Sequence, residues 1–185
     1  MEKSGTIGER RTNTMDELAE LARYNSLTNV ELGQLLSNLT EEQLTRTIGG
    51  FYNSITRTAN HILLADIVWL RRITRGVSDV AALESELPEV DKFDFDAVPW
   101  PHLDRYLPVR ETVDALLERL VAMIPDAKRT VPFSYVRANG NQYENLIAHV
   151  LLHVFNHQTH HRGQIALMLD ELGVENDYSN LIWKV

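Results

Sequence analysis

Apolar residues recur with helical spacing over four long stretches of this chain, and the segments between them break the pattern. Across residues 15–39, Leu18, Leu21, Ala22, Leu27, Val30, Leu32, Leu35 and Leu36 keep the three-to-four-residue repeat of a helix with a buried face. Thr40-Glu41-Glu42-Gln43 then reads as a capping box and predicts a short helical turn. After Gly49-Gly50, residues 54–75 carry Ile55, Ala59, Ile62, Leu63, Ala65, Val68, Trp69, Leu70 and Ile73, apolar on more than one face, as inside a bundle. Residues 76–101, with Gly76, Pro88, Pro99, Pro101 and several acidic residues, predict an irregular crossing loop. A third helix is expected over 102–124, bent or interrupted near Pro108, with Val113, Leu116, Leu117, Leu120 and Val121 facing the core. Residues 128–141 switch to Val131, Phe133, Tyr135 and Val136 around Pro132, followed by Asn139-Gly140-Asn141, an extended piece and a turn with room for one short hairpin. The last long helix is predicted over 142–172, stopping at Gly173, which suits a left-handed cap.

Four long helices and little strand predict an all-α fold, an antiparallel four-helix bundle with a long crossing loop. Residues 1–14 lack apolar periodicity and are expected to be a flexible lead-in to one domain over 15–185. At 185 residues the chain can bury a substantial core, and no apolar run approaches the roughly 20 residues of a membrane helix. No basic, apolar and small-residue leader opens the chain, so a cytoplasmic location is expected. The absence of cysteine removes disulfides, thiolate ligands and a cysteine nucleophile, leaving nitrogen and oxygen ligands for any metal. A net charge of −8 argues against nucleic acid as a partner. The dense basic cluster Arg71, Arg72 and Arg75 is read as a solvated helix face.

Candidate chemistry concentrates in Asn156-His157-Gln158-Thr159-His160-His161-Arg162-Gly163-Gln164. His157 and His161 lie one turn apart on one face, a spacing at which two imidazoles can hold one divalent ion. His149 and His153 extend the four-residue ladder, but it drifts by about 40° per step, so at most two of its rings meet one ion. Interleaved Leu146, Val150, Leu152, Val154, Ile165, Leu167 and Leu169 imply that much of this helix is buried. His61, mid-helix in an apolar segment, is the natural third ligand from a facing helix. His160 is expected to point away from the ion, Arg162 to pair with an acidic residue of a neighbouring helix, and Gly163 to allow close helix approach. Gln164 is expected either to orient a ligand imidazole or bind a water, or simply to cap the core. Asp66 and Asn60 are candidates to support the ligands, and Trp69, Trp100 and Tyr135 to line a pocket.

The chain resembles the DinB-like (DinB/YfiT) family of metal-binding four-helix-bundle proteins from about Leu18 to Leu181. The resemblance is carried by Leu21-Ala22-Arg23-Tyr24-Asn25, by Ser54 through Asn60-His61-Ile62-Leu63-Leu64-Ala65-Asp66-Ile67-Val68-Trp69-Leu70-Arg71-Arg72, and by the motif ending His160-His161-Arg162-Gly163-Gln164. It implies a divalent ion, zinc or nickel, bound by His61, His157 and His161, and it implies a homodimer. Leu27 stands where the family commonly has tryptophan, which weakens inferences about ligand binding near the first helix.

Three neutral imidazoles leave a divalent ion an open position and its full charge, conditions that lower the pKa of bound water or thiol. The leading expectation is therefore a metal-dependent enzyme acting on a small molecule. It is either a thiol S-transferase using an external low-molecular-weight thiol, as the resemblance suggests, or a hydrolase. The alternatives are a non-catalytic metal-binding bundle with a structural or stress-response role, and a metal-free ladder of hydrogen-bonded histidines. No Glu lies between His157 and His161 where a helical zinc peptidase carries its base, which argues against peptidase chemistry.

Overall fold

In the computed structural model, which describes residues 16–90, 94–137 and 139–185, Asp16 accepts a hydrogen bond from the Ala19 N–H at 3.2 Å. That cap starts α1 (Glu17–Leu36). The Thr40–Gln43 capping box forms as expected and starts α2 (Glu41–Thr45). Ser54 caps α3 (Ile55–Gly76), and α4 (Leu103–Met123), the short α5 (Asp126–Arg129) and α6 (Ile147–Glu171) follow. Strands β1 (Pro132–Val136) and β2 (Gln142–Leu146) make an antiparallel hairpin in which Tyr135 lies opposite Tyr143. The protein is thus mostly helical with one small two-stranded sheet, and the lead-in expected over 1–14 lies outside the described residues.

Helices α1, α3, α4 and α6 pack against one another around a single cluster of buried side chains. Helix α3 runs through its middle: Leu63, Leu64, Ile67, Leu70 and Ile73 are fully buried, which accounts for its apolar residues on more than one face. At the far end, Gly173 adopts φ 71° and donates to the Asp170 carbonyl, while Val174 donates to that of Leu169. This is the Schellman closure foreseen for that glycine. Gly76 serves a different need, because a Cβ there would lie 2.2 Å from the Phe133 ring that seats β1 against α3.

Four sequence expectations change. The crossing segment is not irregular throughout: Ser78–Glu86 forms a 3₁₀ helix that buries Val80 and Leu83, whose three-residue spacing puts them on one side of such a helix. Pro108 lies inside α4 without interrupting it. The backbone bond that it forgoes belongs to the exposed Asp104, whose carbonyl water can reach. Helix α6 starts at Ile147 rather than Gln142, because residues 142–146 are taken into the hairpin. Leu152 and Leu167 on α6 are also 46% and 62% exposed, so that helix is less buried than its leucines suggested.

A polar network crosses the core. Arg110 on α4 donates to Asp66 on α3 at 2.6 Å and to Asp114 at 2.8 Å, and Asp114 accepts from Asn25 and Asn29 on α1 at 3.1 and 3.0 Å. Asn29 also donates to Gln158 on α6, and Arg162 donates to Asn25 and Gln158. All seven side chains are buried. Burial pushes the Asp66 carboxyl up to about 7 against the pull of Arg110. For Arg110, burial acts downward, but Asp114 and Asp66 outweigh it and raise its pKa. Asp114 is the acceptor shared by Arg110, Asn25 and Asn29, and its loss leaves these buried donors short of a partner and half-neutralises the ion pair, so Asp114→Ala is expected to cost about 3–5 kcal/mol. Asp104→Ala, at an exposed site, is expected to stay within about 0.5 kcal/mol. Urea denaturation of the two variants gives the comparison.

Candidate metal centre

His61 on α3 and His157 and His161 on α6 converge at one point, with the Nε2 atom of each ring turned inward. The His61 and His157 Nε2 atoms are 3.2 Å apart, and those of His157 and His161 are 3.1 Å apart. Two nitrogens bound at about 2.0 Å to one tetrahedral ion sit about 3.3 Å from each other, so the cluster has the dimensions of such a site. Without an ion it is poorly satisfied, because three ring nitrogens face one another and the buried Nδ1 of His61 makes no well-formed hydrogen bond. The three residues could therefore hold a metal ion.

Neighbouring groups set the state of the rings. Gln164 Oε1 lies 2.8 Å from His161 Nδ1. An amide oxygen only accepts, so Nδ1 carries the proton and Nε2 keeps its lone pair for the cluster. The Gln164 amide nitrogen is 3.2 Å from His160 Nε2, and the His160 ring lies edge-on to that of His161 at 4.8 Å, outside the group of three. Burial, reinforced by the charge of His161, lowers His61 to about 4. Burial and the surrounding histidines lower His157 to about 3, and burial also lowers His161. All three rings are thus neutral at neutral pH, the form in which imidazole binds metal.

Tyr52, which the sequence reading missed, completes the centre. It lies in the turn before α3, where Asn53 takes φ 63°, so no helical or strand periodicity marks it. Its ring stacks on His61 at 4.1 Å between centroids, and its hydroxyl is 3.2 Å from His61 Nε2. Burial raises its pKa, which keeps the hydroxyl protonated. Phe95, from the crossing segment, packs its ring edge-on to His61 at 5.7 Å.

The remaining candidates fall elsewhere. Asn60 does not touch the rings; it clamps the crossing segment to α3 by donating to the Trp100 carbonyl and accepting from the Trp100 N–H, both at 2.9 Å. Asp66 pairs with Arg110 in the core network. Arg162 has no carboxylate within bonding distance and is held instead by Asn25, Gln158 and Thr159, with its guanidinium over the Tyr24 ring. Gly163 faces open space, so close helix approach is not its role. Trp69 and Tyr135 do line a cavity, of about 240 Å³, together with His149 and His153, which take no part in the triad. Trp100 instead lines, with Asn60 and Leu36 among others, a space of about 20 Å³.

Fold and site together define a helical protein with a buried group of three histidines able to accept a metal ion. The family model of the DinB family matches residues 10–184, and the chain belongs to that family. It is 24% identical over 159 residues to Protein DinB of Bacillus subtilis (strain 168), covering 83% of this chain and 85% of that protein.

Neutral rings make metal uptake nearly independent of proton release. Three ordinary histidines would shed about two protons per ion bound at pH 6, whereas the lowered pKa values of this cluster predict almost none from His61 and His157 and less than the usual share from His161. Zinc titration calorimetry in two buffers of different ionisation enthalpy measures the difference. For metal-free protein the sign is opposite to that of a paired histidine. As pH falls below 6.5 the unfolded chain takes up protons first, so the contribution of His61 and His157 to stability is lost progressively toward pH 4 and 3.

Proposed function

We propose that this protein is a divalent-metal-dependent enzyme acting on a small molecule. In this reading it is a thiol S-transferase built on an antiparallel four-helix bundle, with zinc or nickel held by His61, His157 and His161. The observation that carries the reading is the convergence of three neutral Nε2 atoms at 3.1–3.2 Å. When bound, the ion supplies a positive charge and an open position that favour the ionised form of an external thiol.

The residues around it favour thiol over water as the nucleophile. Among the described residues no carboxylate hydrogen-bonds to any of the three rings. A thiol ionises near pH 8.5 and needs little help, whereas water at about 15.7 needs far more. Gln164 holds His161 in one tautomer, and Phe95 screens His61 from solvent on one side. The Tyr52 hydroxyl, protonated and fixed by stacking, is placed to hydrogen-bond the sulfur or the group that leaves the electrophile. Phe95, which packs on His61, also forms part of the wall of a cavity, where a ligand reaching the centre would have room.

Elemental analysis of protein purified without a metal-affinity tag tests the first step. About one equivalent of metal is expected in the wild type, and none in His61→Ala or His157→Ala. Metal-free wild type after reconstitution with zinc and nickel would overturn the reading. Tyr52→Phe is expected to keep its metal but lose about 10–100-fold in thiol conjugation to an electrophilic haloarene, the range that one positioned hydrogen bond supplies.

A further inference from the structure

Of the cluster expected to form a solvated face, Arg75 is exposed, but Arg71 and Arg72 are half-buried. With Val68 and Phe95 on one side and Arg137 from the hairpin turn on the other, all three line a cavity of about 300 Å³. The four arginines differ in what they already bind. Arg75 is paired with Glu84 at 2.5 Å, and Arg71 donates to the Pro88 carbonyl at 3.1 Å. Arg72 lies over the Trp69 ring at 4.7 Å and against Tyr135 at 5.5 Å, and Arg137 lies over Tyr143 at 5.4 Å. Among the described residues neither Arg72 nor Arg137 has a carboxylate partner.

Ring faces hold a guanidinium by its plane and leave its N–H edge free to bind an oxyanion in two places at once. Arg72 is half-buried, and Arg137 acts on it as a like charge. Two unneutralised cations sharing one cavity repel each other, and an anion between them removes that repulsion. The cavity also has a direction. Phe95 forms part of its wall and packs on His61, and Val68 is two helical turns from His61 along α3, about 10 Å.

We infer that this cavity binds the oxyanion end, carboxylate or phosphate, of an extended small molecule whose other end reaches the histidine cluster past Phe95. The inference rests on the thiol reading of that cluster for the identity of the second end, and on Arg72 and Arg137 alone for the first. The substrate class is then an anionic thiol, or an anionic acceptor of one, with about two helical turns between its charged and reactive ends.

Calorimetric titration of zinc-loaded and zinc-free protein with mercaptooctanoate, its methyl ester, the matching thiol-terminated alkyl phosphate and plain octanoate separates the two claims. The expected result is at least tenfold tighter binding of the acid than of the ester by the wild type, with or without zinc. That ratio should fall to near one in Arg72→Gln and in Arg137→Gln while ester affinity stays unchanged. Arg137 is exposed on the hairpin, so its variant keeps the test readable if Arg72→Gln lowers the Tm. A tighter acid than phosphate assigns the site to carboxylates, and the reverse order to phosphates. Zinc-dependent binding with equal affinity for acid and ester would overturn the anion site and leave the thiol reading standing. Octanoate binding that needs the arginines, with no gain from the thiol or from zinc, would keep the anion site and remove the thiol reading. No binding of any probe overturns both.

Discussion

The buried network of Asp66, Arg110, Asp114, Asn25, Asn29, Gln158 and Arg162 is the constraint on which the positions of the other parts depend. Two carboxylates and two guanidiniums lie within a core where any one of them unpaired would be costly, so their hydrogen bonds have to be made together. Apolar contacts between helices tolerate small rotations; directional bonds from four helices do not. On α6, Gln158 and Arg162 each follow a triad histidine by one residue, about 100° around the axis. The bonds that turn Gln158 and Arg162 toward α1 therefore turn His157 and His161 toward α3. Asp66 does the same for α3, because its bond to Arg110 fixes the rotation that presents His61 on another face.

The centre is completed by residues outside regular helices, and each is delivered by a specific local device. Tyr52 comes from a turn whose exit is set by the positive φ of Asn53 and the Ser54 cap, immediately before α3 begins. Phe95 comes from the crossing segment, which Asn60 holds by a pair of hydrogen bonds to the Trp100 backbone. Asn60 precedes His61, so the clamp and the ring that it helps to cover share one turn of helix. The hairpin is seated in turn by Phe133 in the space that Gly76 leaves, and this brings Tyr135 and Arg137 over the outer part of α3.

Whatever depends on local spacing was legible in the chain. The Thr40–Gln43 box, the Gly173 closure, the hairpin around Asn139-Gly140 and the pairing of His157 with His161 follow from contacts between residues two to five positions apart. His61 was legible because mid-helix burial limits what a histidine can do there. The start of α6 was not, since Tyr143 and Leu146 fit a helical repeat and a strand equally well, and their hairpin partners Tyr135 and Pro132 lie well back along the chain. Arg162, Asp66 and Asn60 were assigned the wrong partners for a related reason: the chemistry of a long polar side chain does not say which of several facing helices it meets. Tyr52, in a turn, carried no periodic signal, and the arginine cavity only part of one: Arg71, Arg72 and Arg75 stood out as a cluster on one helix, but Phe95 and Arg137, which close the cavity, come from a loop and a hairpin.

The distribution of charge resolves an apparent conflict between a chain of net charge −8 and a site lined by cations. Several of the described basic groups are neutralised locally: Arg75 by Glu84, Arg110 by Asp66 and Asp114, Arg119 by Glu86, Arg129 by Asp16, Lys128 by Asp79 and Lys184 by Glu31. Arg72 and Arg137 are held by aromatic faces instead, which position a guanidinium without cancelling its charge. The excess negative charge is spread over the surface, and at physiological salt its field decays over about 8 Å. Arg72, half-buried in the cavity, is screened less than a surface charge, so an approaching anion meets weak repulsion at a distance and stronger attraction at contact. The three histidines, kept neutral by burial, add no positive charge of their own until a metal is bound. A metal ion held there would therefore strengthen the local field that an anionic ligand meets, and on the proposed reading the ion and the arginines would draw on opposite ends of one molecule rather than compete for the same group.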